Sequence, residues 1–228
     1  MHGEIESVAS SDAGGKEEAP VRREPMPRAR WLSLMQAWDL PPNEDTWCEL
    51  VAAYGQTHRH YHTGAHIDAC LRHLDACVQA LDHPREVELA LWFHDAVYNP
   101  LSSKNERKSA HWAQDFLARR QVPAEAIARV GELVMVTRHD TPTRTNDESF
   151  VVDIDLSILG AEPVVYDAFE QAIRREYRHV PGPLYRAGRS RLLEQFLTRP
   201  RIYANAPFAL REGQARANLA RAIEQLRA

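Results

Sequence analysis

The chain has 228 residues, of which 44% are hydrophobic and 26% charged, a composition suited to one domain with a continuous apolar core. Its formal charge is −4, and because residues 1–27 hold six acidic and three basic residues, the remainder is nearly neutral at −1. This balance excludes the basic surface that a nucleic-acid polymer requires. No stretch approaches the roughly 20 apolar residues of a membrane span, and the N-terminus lacks the basic-then-apolar order of a secretory signal, so a cytoplasmic protein without a membrane partner is expected.

The predicted elements follow in chain order. Residues 1–27 combine Gly, Ser, Glu and three prolines with few large apolar side chains, which predicts a disordered N-terminal tail before one domain at 28–228. Apolar residues then recur at helical spacing up to Pro41-Pro42, and a second helix is expected from Asn43 to Tyr54. Further helical patterns cover residues 64–81, 85–97, 104–120, 123–138, 163–179, 183–198 and 208–227. Short connections between so many helices predict an all-α fold, an irregular helical bundle.

Two histidines lie four residues apart where the third helix begins. His62 precedes its start near Gly64, and His66 lies one turn before Cys70 on the predicted core stripe, so His66 should face inward. An inward histidine is either a core residue with a hydrogen-bond partner or a metal ligand. With no C-x-x-C pair in the chain, the cysteines are expected to be small core residues.

The segment 90–98 is apolar except for His94 and Asp95, so both side chains are expected to be buried. A buried carboxylate needs a partner, and Asp95 must therefore be paired, hydrogen-bonded or bound to a cation. Two interpretations stay open: a metal-binding pair, or a His-Asp hydrogen bond that ties two helices together.

Residues 151–160 can be interpreted in two ways. As a strand, their apolar residues would face the core, and Asp153 and Asp155 would face water. As a helix, Asp155 has apolar neighbours three and four residues away and is buried, whereas Asp153 lies near Ser149 and Ser157. Gly160 at a C-cap position and the helical surroundings favour the helix, with Asp155 as the inward carboxylate and Asp153 as the fallback.

A single histidine, a later His-Asp doublet and a distal aspartate, in this order, resemble the HD superfamily of metal-dependent phosphohydrolases. The residues are His66, His94-Asp95 and Asp155. Further strings resemble a bacterial group of predicted HD-superfamily hydrolases over about residues 58–220: Tyr61 to Thr63, Phe93 to Pro100, Asn105-Glu106 with Ser109-Ala110, Asp153 to Gly160, and Ile173 to Tyr177. The chain lacks the Gly-Lys that follows the doublet in many HD proteins, including cyclic-dinucleotide phosphodiesterases.

The resemblance implies an HD-like domain with a buried metal site formed by His66, His94, Asp95 and Asp155. Imidazole and carboxylate ligands suit one or two divalent ions, namely Mn²⁺, Fe²⁺, Co²⁺, Ni²⁺, Zn²⁺ or Mg²⁺. A second ion would use His139, which is equally interpreted as a histidine placed against the end of a helix.

The resemblance also implies catalytic roles. Similarity to the cyclic-nucleotide phosphodiesterases implies that His62 protonates the leaving group and that His66 binds metal. The bound cation would lower the pKa of its water to give the attacking hydroxide, and Asp95, one of the predicted catalytic residues, could bridge to a second ion. Glu106 is either a general acid or base, or part of a capping box with Ser103. Four cationic residues are candidates for binding a phosphate: Lys104, Arg138, Arg175 and Arg189.

These assignments predict a hydrolase that cleaves a phosphate ester or anhydride of a nucleotide or other small phosphorylated metabolite. Three alternatives stay open. They are an HD-fold di-iron oxygenase, a non-catalytic module that binds nucleotide and metal, and a helical protein whose buried His and Asp residues are only structural.

Overall fold

The structure is a computed structural model that describes residues 26–228. Its regular structure is entirely helical, with no strand in this range, which confirms the all-α class. The tail predicted for residues 1–27 lies outside the described residues except for its last two. Of these, Met26 is buried against the core, so the folded part begins earlier than predicted because this side chain finds apolar neighbours.

Eleven α-helices occur in the described range, and three of them continue into short 3₁₀ turns. The α-helices are α1 Arg28–Ala37, α2 Glu44–Tyr54, α3 Gly64–Cys77, α4 Pro84–Phe93, α5 Asn105–Ala118, α6 Ala124–Met135, α7 Asn146–Asp155, α8 Pro163–Glu176, α9 Gly182–Leu197, α10 Ala206–Ala209 and α11 Glu212–Arg227. The 3₁₀ turns Val78–Ala80, Val136–Arg138 and Leu156–Gly160 extend α3, α6 and α7. Most predicted segments correspond to these helices.

Helix α4 lies at the centre of the bundle. It packs against α1, α3, α5, α6 and α7, and its residues 89–93 are all buried. Pro84 starts the helix at a position where its missing N–H costs nothing. Since the five consecutive apolar residues 89–93 cover every side of the second half of α4, this half requires neighbours all round, and its central position follows from its composition.

The prediction of a helix over 85–97 is wrong at its C-terminal end, because α4 ends at Phe93. His94 and Asp95 therefore lie in the turn that follows α4. The buried guanidinium of Arg59 explains the ending: it donates to the carbonyl oxygens of Asp95 at 2.6 Å and Ala96 at 2.9 Å. A continuing helix would use those carbonyls in its own hydrogen bonds.

Helix α5 holds the rest of this turn in place. Ser109 Oγ accepts a hydrogen bond from Val97 N, and Asn105 pairs through both side-chain atoms with the backbone of Asn99. Asn105 and Ser109 thus hold in place the segment that follows His94-Asp95. The capping box predicted for Ser103 and Glu106 does not form, since Lys104 is the N-cap and has no side-chain cap bond.

The strand interpretation of 151–160 is wrong, and the helical one is confirmed. α7 begins at Asn146, where the N-cap Thr145 accepts a hydrogen bond from Glu148 N at 3.1 Å. This cap sets the helical period through Asp155. α7 contacts α3, α4 and α6, and so carries Asp155 toward the ends of the central helices.

Candidate metal centre

Three helices bring four predicted ligands together. His66 lies in the first turn of α3, His94 and Asp95 follow α4, and Asp155 is the last residue of α7. His66 and His94 are buried, while the side chains of Asp95 and Asp155 are 18% and 15% exposed to solvent. The cluster is thus closed on the histidine side and open to solvent at its carboxylates.

The Nε2 atoms of His66 and His94 lie close to each other and to one oxygen of each carboxylate. His66 Nε2 is 3.1 Å from His94 Nε2, 3.2 Å from Asp155 Oδ1 and 3.6 Å from Asp95 Oδ2. His94 Nε2 is 3.1 Å from Asp95 Oδ2 and 3.6 Å from Asp155 Oδ1. Ligands bound at about 2.0–2.2 Å to one ion are separated by about 2.9–3.5 Å, so these separations fit a shared divalent cation.

The orientation of His94 is set by the backbone. Its Nδ1 lies 2.8 Å from the carbonyl oxygen of Leu91, so Nδ1 carries the proton and donates it. In the neutral ring the lone pair of Nε2 then points at His66, Asp95 and Asp155. In metal-binding histidines, the ring nitrogen that does not bind the metal commonly donates its hydrogen to an acceptor such as a backbone carbonyl.

The electrostatics of the cluster favour positive charge at its centre. Burial alone would raise the pKa of Asp95, but His94 and His62 hold it well below its usual value. Burial alone would lower the pKa of His94, yet Asp95 and Asp155 raise it well above the usual value. The two carboxylates thus attract a proton or another cation to the point between the imidazoles.

Cys70 adds a thiol that the sequence analysis assigned only to the core. It is buried as expected, but its Sγ also lies 3.7 Å from His66 Nε2. His66, Cys70, His94 and Asp155 form a group in which the ligand atoms lie within 4.8 Å of one another, and this group could hold a metal ion. Burial raises the pKa of the Cys70 thiol, which favours the neutral form.

His139 lies on the other side of Asp155. Its Nε2 is 2.9 Å from Asp155 Oδ2, whereas Asp155 Oδ1 faces His66 and His94. His139 Nδ1 is buried with no hydrogen-bond partner among the described residues, and its backbone is left-handed at φ 58°. Asp155 therefore lies between the candidate centre and the residue proposed for a second ion.

His62 is held beside the cluster by Glu176, a residue that sequence reasoning did not assign to the site. Glu176 Oε2 accepts from His62 Nδ1 and from the Tyr98 hydroxyl, both at 2.7 Å. Its Oε1 accepts the backbone N–H groups of residues 60–62 at 2.7–3.1 Å. Glu176 occurs in the string Ile173 to Tyr177, which was the only available signal.

These contacts engage His62 Nδ1 and place the ring 6.3 Å from the His66 ring, centroid to centroid, next to the candidate centre. Burial alone would lower the pKa of His62, but the negative charges of Asp95 and Glu176 raise it. Glu176 is itself buried, and its bonds to His62 and Tyr98 lower its pKa to about 2. Arg59 also donates to the His62 carbonyl at 3.2 Å, so one guanidinium connects the His62 loop to the turn after α4.

Asp153, the fallback carboxylate, lies elsewhere. It accepts hydrogen bonds from Ala204 N and Asn205 N, and from Asn205 Nδ2 at 2.9 Å. Its role is to hold the segment before α10. The choice between Asp153 and Asp155 is thereby resolved geometrically, because only Asp155 faces the histidines.

The remaining predicted residues have different surroundings. Glu106 is half-buried in the first turn of α5, and Lys104 is exposed just before it. Arg138 is exposed and pairs with Asp140 at 2.8 Å. None of these three is within hydrogen-bond distance of the candidate centre.

The two other predicted phosphate-binding residues, Arg175 and Arg189, differ in whether their guanidinium groups are already paired. Arg189 is engaged by Glu170 through two hydrogen bonds, at 2.8 and 3.0 Å, which occupies its guanidinium. Arg175 is exposed and lines a cavity beside Tyr98 and Glu176. Of the four predicted phosphate-binding residues, Arg175 is therefore the one that is available to a ligand in the cavity next to His62.

The comparisons with known proteins name no relative. No protein-family model, no curated protein and no solved structure matches the chain. None of the described helices combines the length and apolar character needed to cross a bilayer.

Proposed function

We propose that the chain is a metal-dependent phosphohydrolase of the HD type, acting on a phosphate ester or anhydride of a nucleotide or other small phosphorylated metabolite. The observation that carries the proposal is the convergence of His66, His94, Asp95 and Asp155: the two imidazole Nε2 atoms lie 3.1 Å from each other and 3.1–3.6 Å from one oxygen of each carboxylate. Their order along the chain is also the order of the HD motif, which supports the same proposal.

His66, His94, Asp95 and Asp155 would hold a divalent ion, and Cys70 lies close enough to add a sulfur ligand. Such an ion supplies Lewis acidity toward a phosphoryl oxygen and lowers the pKa of water. Two imidazoles and two carboxylates suit Mn²⁺, Fe²⁺, Co²⁺, Ni²⁺ or Zn²⁺, and Mg²⁺ would suit an adjacent position formed by carboxylates and water.

The residues around the centre have distinct tasks in this proposal. Asp95 and Asp155 present partly exposed oxygens, so solvent and substrate reach the centre from their side. Asp95 and Glu176 raise the pKa of His62 against the effect of burial, which favours the protonated ring, and His62 would donate a proton to the leaving oxygen as a general acid. Glu176 is a positioning residue, because it orients His62 without facing the centre.

A panel of phosphoesters incubated with each divalent metal tests the proposal. The purified chain should release phosphate or pyrophosphate from at least one substrate, and Asp95→Ala should abolish the release. Asp115→Ala removes a carboxylate from the surface of α5 and serves as the matched control. Absence of turnover with every metal and substrate would overturn the proposal.

A second candidate function rests on His139. Its 2.9 Å contact with the outer oxygen of Asp155 offers a bridging carboxylate and a further imidazole, as a two-ion centre requires. A two-ion centre also suits a di-iron oxygenase. Oxygen consumption with Fe²⁺, in the absence of phosphoester cleavage, would identify that function, whereas tight nucleotide binding without turnover would identify a binding module.

A further inference from the structure

A cavity of about 350 Å³ lies beside the candidate centre, on the far side of Tyr98 and Glu176. Both residues line the cavity and both contact His62: the Tyr98 ring stacks on the His62 ring at 4.2 Å, and Glu176 bonds to its Nδ1. Only the thickness of these side chains therefore separates the cavity from the proposed general acid. Its volume is at the lower end for small-molecule sites, which suits one polar group of a metabolite.

The lining of this cavity, called here the basic cavity, contains two arginines and two histidines. Arg175, Arg178 and His179 come from the end of α8 and the residues that follow it, and His58 lines the cavity from another loop. The one carboxylate is that of Glu176, whose two oxygens already accept five hydrogen bonds. Neither arginine is among the partners of Glu176, so this carboxylate makes no ion pair with them, and one carboxylate faces two guanidinium groups in the lining.

The arginines of the basic cavity differ from their neighbours. Within residues 26–228, neither Arg175 nor Arg178 makes a side-chain hydrogen bond or an ion pair. By contrast, Arg174 donates to the carbonyls of Tyr177 and Val180, and Arg189 is paired with Glu170. Two unpaired guanidinium groups three residues apart repel each other, and a shared anion would relieve this repulsion.

We propose that the basic cavity binds a second phosphate group of the substrate, while the first phosphate is cleaved at the metal centre. This inference rests on the proposed function and narrows its substrates to small metabolites that carry two separated phosphate groups. Arg175 and Arg178 bind the distal phosphate, and His179 adds an imidazole; His58 Nε2 already lies 3.2 Å from the Tyr98 carbonyl oxygen and contributes to the wall. The bound distal group would anchor the substrate at the wall of Tyr98 and Glu176 that adjoins His62.

A simpler explanation is that these cations only stabilise the C-terminal end of α8 through its dipole. The two explanations differ in what the double variant Arg175→Gln/Arg178→Gln does. If the cations act on the helix alone, the variant changes stability slightly and leaves anion binding unchanged. If they bind phosphate, the variant loses anion affinity while metal content stays the same.

The first experiment measures binding of inorganic phosphate and pyrophosphate to the full chain after removal of metal with a chelator. Arg175→Gln/Arg178→Gln should weaken binding at least about tenfold, since charge-assisted hydrogen bonds are lost. The matched control is Arg119→Gln/Arg191→Gln, which removes the same charge from exposed residues outside this cavity. Equal binding by both double variants would overturn the inference.

The second experiment uses metal-loaded protein and matched pairs of phosphomonoesters with and without a second phosphate. The Arg175/Arg178 variant should raise KM about tenfold or more for the substrates with two phosphates only. If both members of a pair change equally, the inference fails while the proposed function stands. If no substrate is cleaved but the variant still loses pyrophosphate affinity, the proposed function fails and the anion site stands.

Discussion

Two aspartates on α7, separated by a single residue, have opposite surroundings. Asp153 is surrounded by donors from the backbone of residues 204 and 205 and from the Asn205 amide. Asp155 faces three imidazoles, those of His66, His94 and His139, at 2.9–3.6 Å. A carboxylate bound by N–H groups of a neighbouring segment has a structural role, whereas one that faces several imidazoles can share a cation with them.

The pKa values follow the same division. Burial raises the pKa of Asp153, and hydrogen bonds from Ala204 and Asn205 offset it only in part. Burial would do the same to Asp155, but hydrogen bonds from His139, His66 and His94 hold its pKa well below the usual value. Burial alone therefore does not identify a functional carboxylate; the partner groups do.

Removing each carboxylate in turn is the strongest test of the difference between Asp153 and Asp155. Asp155→Ala should lower metal affinity at least about 100-fold and abolish hydrolysis, because loss of a ligand exceeds the effect of an outer contact. Asp153→Ala should retain its metal. Metal content after dialysis, measured by elemental analysis, tests both, and equal metal retention by the two variants would contradict the assignment.

His62 differs from both aspartates, because in the proposed function it acts as a general acid and does not bind the metal. His62→Gln should lower the rate of hydrolysis about 10²–10⁴-fold, the usual contribution of a general acid, with metal content unchanged. The rate at saturating substrate and the bound metal are measured on the same sample. A variant that loses its metal would instead place His62 among the ligands.

The structural role of Asp153 has its own measurable effect. Asp153→Ala removes the carboxylate that accepts the part-buried hydrogen bonds of the residue 204 and 205 N–H groups, which should lower the free energy of unfolding by about 2 kcal/mol. Urea unfolding followed by circular dichroism measures the change. An unfolding midpoint equal to that of the unchanged protein would show that Asp153 does not hold this segment.

An equally small effect is expected of Glu176, which should make the free energy of unfolding depend on pH. Because its pKa falls from about 4.5 to about 2 on folding, its stabilisation is complete above about pH 4.5 and is lost as the pH falls toward 2. At pH 3 the loss should be about 2 kcal/mol relative to pH 6. Urea unfolding of chelated protein at both pH values should show this loss, and Glu176→Gln should show a correspondingly smaller one.

The fold was largely predictable because its signals are local. Helical spacing and proline positions located most of the helices, and the apolar surroundings of His94 and Asp95 correctly indicated that both approach the interior. The helical period around Asp155 predicted the helix correctly, but the prediction that Asp155 is the more buried aspartate of α7 is wrong, because Asp153 is 1% exposed and the Asp155 side chain 15%. The end of α4 was not predictable in this way, because it depends on Arg59, a residue 36 positions from Asp95.

The sequence by itself determined the all-α class and the inward direction of His66 and His94, since these depend on apolar residues nearby in the chain. Only the tertiary structure decided that these side chains meet two carboxylates within 3.6 Å, that Cys70 joins them and that Glu176 holds His62 across 114 residues. The physical reason is that a helix fixes the face of each side chain, whereas packing between helices fixes which faces meet.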